Sequence, residues 1–383
     1  MPRKQQSVLM LTALAFLITF LIPAGGPAAK SAEVSKASVP AASTKSTKQW
    51  DDLVKAAQKE GTVTIYGTAM AGVIPPLREA FKQKFGVNLE FIQGRPPEVL
   101  AKINAERNAG LFLADVGHLG ETTSLKDVKP LGITVPLMDL LILPEVTNPK
   151  NWMGGELPFL DKQKHVLMFM ATASPYGVYN TDMVKESDLS SYLDLLKSPW
   201  KGKIVLSDPA ISGPSPNALA GLAKYYGKDR AAEIFQQLAA QEPAVTRDQR
   251  QLLEWVARGR YPIGLGASMG GLSDFRKAGA PIARLKLKEP RNFSGGPGNL
   301  TVFSKNPHPN ATKLYANWLL SKEGSSIWSQ ALEYPAVRVD VPTNGLDPDA
   351  IPRSGDIFPD EEHMILRHEI TKASAKIFEP LRK

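Results

Sequence analysis

The sequence predicts an α/β protein of two lobes joined by two extended crossings. Three observations carry that prediction. The stretch 61–94, GTVTIYGTAMAGVIPPLREAFKQKFGVNLEFIQG, reads as strand, glycine turn, helix, strand, glycine turn. The same alternation of short apolar runs and amphipathic runs returns over 203–287. Two turn-rich stretches, 174–181 and 295–298, stand where the chain would pass between the halves. Two such lobes form a clamshell, a shape that closes by hinge motion over a small ligand.

The first lobe opens on Trp50, Leu53, Val54 and Ala57 at helical spacing, and Gly61 ends that helix. Residues 62–66 are rich in β-formers. Ile74, Leu77, Phe81 and Phe85 then recur on one helix face, with Arg78, Lys82 and Lys84 on the other. Gly86 stops the helix and 88–93 is strand again. Pro97 can open the next helix in its first turn, and 114–116 leads to Gly117-His118. Parallel strands joined by helices place their functional loops at the carboxyl ends of the strands. The loops 67–69, 94–95 and 117–120 are therefore expected to converge on one crevice.

Later, 137–143 is apolar, 144–152 is loop and 165–171 is a buried strand. In the second lobe, 203–206, 244–246, 262–266 and 282–287 are strands. Helices begin at Asn217, Gly227 and Gln249, and a short one runs to Ala278. Residues 300–303 return as a strand of the first lobe. Leu314, Tyr315, Trp318 and Leu319, then Ile327, Trp328 and Ala331, are packing faces of two helices. Residues 342–356 are irregular and 361–376 is a last helix. No repeat of fixed period occurs.

With 383 residues, two lobes are favoured over one. Hydrophobic content of 43% and charge of 22% are those of a globular chain. The absence of cysteine removes disulfides, thiolate metal sites, a thiol nucleophile and a lipid-modified cysteine. Pro2-Arg3-Lys4, an apolar core over 8–22 and Gly26-Pro27-Ala28 read as a secretory signal peptide over 1–28, an uncleaved anchor being the alternative. Residues 29–48 lack periodicity and aromatics and are expected to be a disordered linker. The first lobe is then 49–175 with 299–345 and the second 176–298. Residues 346–383 form a tail and helix whose docking the pattern does not assign. Loss of Arg3 and Lys4 takes the net charge from +8 to +6. That excess has no dense cluster and no interleaved aromatics, so nucleic acid is not an expected partner. An anionic ligand fits it, and a monomer without cofactor is expected.

The runs WDDLVKAAQKEGTVTIYGT, ADVGHLGET, WKGKIVLSDP, GRYPIGLG and NPHPNATKLYANWLLSKEG, in that order, resemble the extracellular solute-binding proteins of ABC importers. The branch they resemble includes ferric-iron-binding proteins. The resemblance covers about 50–328. It implies a type II periplasmic-binding fold and a function without covalent chemistry: capture of a solute outside the membrane and delivery to a permease. It also implies a test for iron. The family's tyrosine pair falls on Met269 and Gly270, and its carboxylate falls on Gly120 with Glu121 beside it. Fe(III) needs hard anionic oxygen donors, and His118 alone does not replace them. No ferric site like the family's is expected, and iron binding through a non-standard site is the alternative.

The candidate ligand residues follow from the loops. Ser212, Gly213 and Ser215 precede a helix and can present N–H groups and hydroxyls to an anion, or can be a plain cap. Arg247 can fork onto a carboxylate or phosphonate, or pair with Asp248 or Glu254. Arg95 can face the crevice or be neutralised by Glu98. Thr68 can donate a hydroxyl or be a turn residue. His118 can bond a ligand or be structural, and Tyr176 can stack on a ligand or pack at the hinge. Ser268 offers a hydroxyl from a strand end. It also stands in Gly266-Ala267-Ser268-Met269-Gly270, a G-x-S-x-G match that raises a serine hydrolase as the alternative of another class. No HGGG-type loop lies upstream to serve as an oxyanion hole, so an enzyme is not expected.

Overall fold

The computed structural model describes residues 41–382, except 69, 175, 212 and 354. The expected signal peptide and residues 29–40 of the expected linker lie outside the described residues. Helix α1 (Ala41–Glu60) is the first described element. It starts inside the stretch expected to be a linker, so that expectation is corrected for 41–48. The Ala and Lys residues of that stretch are good helix formers and carry the helix backwards from Gln49. Leu53 and Ala57 are buried, and Trp50 meets Phe85 edge-on with centroids 6.0 Å apart.

Strand β1 (Thr62–Gly67), helix α2 (Ile74–Phe85) and strand β2 (Asn88–Gln93) follow, with β1 and β2 parallel from Thr62↔Asn88. The buried face of α2 is Ile74, Leu77, Phe81 and Phe85, the positions its periodicity predicts. Gly86 ends it at φ 73° and donates its N–H to Lys82 O, a left-handed cap that glycine adopts without strain. Phe81 lies 5.1 Å from Trp318 and 5.6 Å from Tyr315. Each such ring removed from water contributes about 1.5–3 kcal/mol.

Helix α3 (Pro96–Asn108), strand β3 (Val116–His118), a single turn α4 (Pro144–Thr147) and strand β4 (Val166–Met168) continue the lobe. The predicted strand 165–171 is thus shorter than expected. The chain then leaves through β5 (Thr172–Ser174) and enters the second sheet at β6 (Gly177–Asn180).

The second lobe is built from β7 (Ile204–Ser207), α5 (Pro214–Tyr226), α6 (Lys228–Ala240), β8 (Ala244–Thr246), α7 (Gln249–Ala257), β9 (Ile263–Leu265), α8 (Met269–Lys277) and β10 (Ile282–Arg284). Its sheet runs β10-β6-β9-β7-β8, with β8, β7 and β9 parallel and β6 antiparallel to β9. Leu219, Leu222 and Phe235 of α5 and α6 cover one face, and Leu252, Val256 and Leu272 of α7 and α8 cover the other.

The chain returns through β11 (Asn292–Ser294), antiparallel to β5, into β12 (Asn299–Val302), α9 (Pro309–Leu320) and α10 (Lys322–Leu332). Strand β12 lies between β3 and β4, antiparallel to both, and completes the order β2-β1-β3-β12-β4. Two α/β sheets on paired crossings are the predicted architecture.

The C-terminal segment does dock. Ile357 pairs in parallel with Asn292 beside β11, and Phe358 stacks on Phe293 at 5.2 Å. Arg291 holds Asp356 through Nε at 3.0 Å. Helix α11 (Glu361–Ile377) then places Leu366 and Ile370 in the core of the second lobe against α5 and α6. The polar pattern of 361–376 hid these contacts, because only one narrow stripe of the helix is buried.

Candidate functional site

In each sheet one parallel strand has parallel neighbours on both sides. In the first it is β1, between β2 and β3; in the second it is β7, between β8 and β9. Loops leaving such strands in opposite directions open a crevice at their carboxyl ends. In the first lobe the predicted loops do meet: Thr68 N donates to His118 O at 3.2 Å and Gly94 N to Gly67 O at 3.3 Å.

In the second lobe Gln249, the first residue of α7, ties the strand ends together. Its Nε2 donates to Ser207 Oγ at 2.7 Å and to Gly266 O at 3.1 Å, and its Oε1 accepts from Ser268 N at 2.9 Å. Gly266 sits at φ 70°, and a Cβ there would stand 2.7 Å from Ser215 Cβ. Ser215 lies in the first turn of α5, 1% exposed, and its hydroxyl has no hydrogen-bond partner. Ser268 precedes α8, and its side chain makes no capping bond. Ser207, Ser215, Gln249 and Ser268 thus form one cluster of hydroxyls and an amide.

The other predicted residues divide. Thr68 is half-buried beside β3. Gly213 is the N-cap of α5, and Ser212 lies outside the described residues. Arg95 is corrected to a surface residue: Glu98, one turn on, takes its Nε at 2.8 Å and also its Nη2 and backbone N–H. His118 is corrected to a structural residue. It is fully buried; Nδ1 lies 2.9 Å from Asn299 O and Nε2 2.9 Å from Tyr315 Oη, so neither nitrogen is left for a ligand. Burial lowers its pKa to about 4, against a smaller upward pull from Asn299 O. Tyr176 is corrected to hinge packing: it is buried, lies edge-on to Tyr192, and donates its hydroxyl to Pro290 O at 2.6 Å.

Arg247 is paired, but with neither residue that the sequence offered. Its Nε donates at 3.0 Å to Oδ2 of Asp208, 39 positions upstream, and Arg382 Nε takes Oδ1 at 3.1 Å. Burial pushes the Asp208 carboxyl up, but the Ala210 amide and both guanidinium groups outweigh it and the net direction is down. Arg247 and Arg382 line a groove of about 960 Å³ along the edge strand β8, with Arg260, Trp255 and Tyr261.

Sequence reasoning missed Asp208, Gln249 and Arg382. Only Gln249 carried a local signal, opening a helix right after the strand end at Thr246. Among the described residues no group of three or more His, Asp or Glu side chains is placed to hold a metal ion.

Residues 77–356 match the family of bacterial extracellular solute-binding proteins. The chain belongs to that family. It is 25% identical over 283 residues to an uncharacterised protein of Haemophilus influenzae, covering 72% of this chain and 77% of that one. Solved structures show the type II periplasmic-binding fold. Trichodesmium IdiA (FutA), in complex with iron and citrate, is 19% identical, with a TM-score of 0.67 over 84% of this chain and 99% of that one. Ferric iron-binding protein A of Mannheimia haemolytica, in an open conformation, is 15% identical, with a TM-score of 0.66 over 84% and 98%. AfuA of Actinobacillus pleuropneumoniae, with fructose-6-phosphate bound, is 21% identical, with a TM-score of 0.60 over 84% and 98%. As a member of this family, the protein is a periplasmic or extracellular solute-binding component of an ABC importer. It is a binding protein rather than an enzyme, with a small-molecule solute and a membrane permease as its partners.

Proposed function

We propose that the solute is a small organic anion held between the strand-end loops of the two lobes. In this reading Ser215 and the N-terminal end of α5 receive the charged group, Ser268 and Thr68 add hydroxyl contacts, and Arg247 contributes charge from the rim. The protein works as a monomer and binds no nucleic acid.

One observation carries the reading. The Ser215 hydroxyl is buried without a partner in the first turn of a 13-residue helix. A buried hydroxyl left unpaired costs about 1–3 kcal/mol, and a helix N-terminus favours negative charge. A ligand oxyanion satisfies both. The two relatives with citrate and with fructose-6-phosphate bind organic anions on this fold, which supports the same class here. The positions where the family's iron-binding members carry two tyrosines hold Met269 and Gly270, which argues against ferric iron as cargo.

Mass spectrometry of small molecules released by denaturing the freshly purified protein tests the reading. A released phosphate ester or carboxylate is expected, and thermal-shift titration with it should raise the melting temperature. Ser215→Ala should weaken its binding about tenfold. A neutral or cationic solute, or tight Fe(III) binding in isothermal titration, overturns the reading. Ester turnover abolished by Ser268→Ala would replace it with the hydrolase.

A further inference from the structure

Helix α11 carries a cation to the place where both lobes and the second crossing meet. Arg367 Nη2 donates to Gly213 O, at the start of α5, over a long 3.4 Å. The carboxylate whose charge reaches it is Glu121 of the first lobe. That carboxylate is already engaged: its Oε1 accepts from Ser294 Oγ at 2.8 Å and from the Gly295 N–H. Among the described residues the Arg367 guanidinium has no ion-pair partner within 4 Å. The other arginines at strand ends and at the crossing do: Arg95 has Glu98, Arg247 and Arg382 share Asp208, and Arg291 has Asp356.

Arginine stays charged in proteins and presents five N–H donors in a planar fork suited to a carboxylate or phosphate. The one protein bond that the half-buried Arg367 guanidinium makes is long, which leaves the other donors of its fork open to a ligand. The unpartnered, buried Ser215 hydroxyl lies at the same end of the same helix. A buried, unpaired hydroxyl and a guanidinium with open donors, from separate parts of the chain, thus stand at one helix start. We propose that Arg367 is a ligand-binding residue, supplying the positive charge that meets the solute's carboxylate or phosphate at the N-terminal end of α5. This rests on the anionic reading of the solute and adds its counter-charge. The C-terminal helix is then part of the binding site rather than a surface appendage.

The test titrates inorganic phosphate, citrate and fructose 6-phosphate into the mature full-length protein at low ionic strength, by calorimetry and thermal shift. The wild type should bind at least one. Arg367→Gln should weaken that anion at least tenfold, with the ligand-free melting temperature within about 2 °C of wild type, and Arg367→Lys should fall between. Glu121→Gln keeps the acceptor for Ser294 and Gly295 and separates the roles. If Arg367 merely tethers Glu121, this variant weakens binding as Arg367→Gln does. If Arg367 serves the ligand, binding stays or tightens. A wild type that binds an anion that Arg367→Gln binds within twofold overturns this inference and leaves the anionic reading standing. A wild type that binds none of the three overturns both.

Discussion

Gln249 and Ser268, 19 positions apart, are joined by a bond of 2.9 Å from the serine backbone N–H to the glutamine side-chain oxygen. The same amide also donates to Ser207 and Gly266, so one side chain fixes the carboxyl ends of β7 and β9. Gln249→Leu leaves the Ser268 N–H and the Gly266 carbonyl unpaired. A loss of about 1–3 kcal/mol is expected in urea unfolding, together with weaker solute binding. Gln249→Glu keeps the acceptor and should lose less. Equal stability of all three proteins would show that the strand ends do not depend on this amide.

Gly266 and Ser215 make a second sharp test. A residue at φ 70° with a Cβ only 2.7–2.8 Å from Ser215 Cβ and Cα is both strained and obstructed. Gly266→Ala should lower stability by about 2 kcal/mol or more and displace the start of α5. Ser215→Gly in the same chain removes the Cβ it meets and should restore part of the loss. No recovery in the double variant would place the whole penalty in the backbone.

The pH dependence follows from two buried histidines. Burial brings the pKa of His118 and of His363 down to about 4 from the usual 6.5. The folded state therefore favours the neutral ring, and the unfolded chain binds more protons between these values. The stabilisation is complete above pH 6.5 and is lost as pH falls towards 4. For His118 the loss reaches about 3 kcal/mol at the acid end. His363 makes no hydrogen bond with either ring nitrogen, so His363→Leu removes its titration with little change in volume. Melting curves from pH 7 to pH 4 should fall steeply for the wild type and less for this variant. Identical slopes would mean that His363 is already protonated in the fold.

Much of the fold could be read in the sequence because its signals are local. The α2 face, the Gly86 cap and the strands on either side depend on spacings of three, four and two residues. Side-chain pairing is not local. His118 looks available until Tyr315 and Asn299 arrive, each more than 180 positions later, and occupy both nitrogens. Arg247 appears to have Asp248 and Glu254 as partners, but Asp248 caps its own helix and Glu254 takes Arg250. Arg95 is the opposite case, since Glu98 is one turn away and the neutral pairing was visible. The docking of α11 could not be read, because its buried stripe is narrow and its partners lie on α5 and α6.

The lining-up of Ile357 beside β11 has a mechanical consequence. With β5 it makes the span between the lobes a ribbon three chains wide. A ribbon flexes across its face but resists shearing in its own plane and twisting about its length. At this crossing the third chain favours rocking of the two halves over shear or twist between them. A rocking motion of that kind changes chiefly the angle of the bite, which a permease facing both lobes would meet as one change of shape.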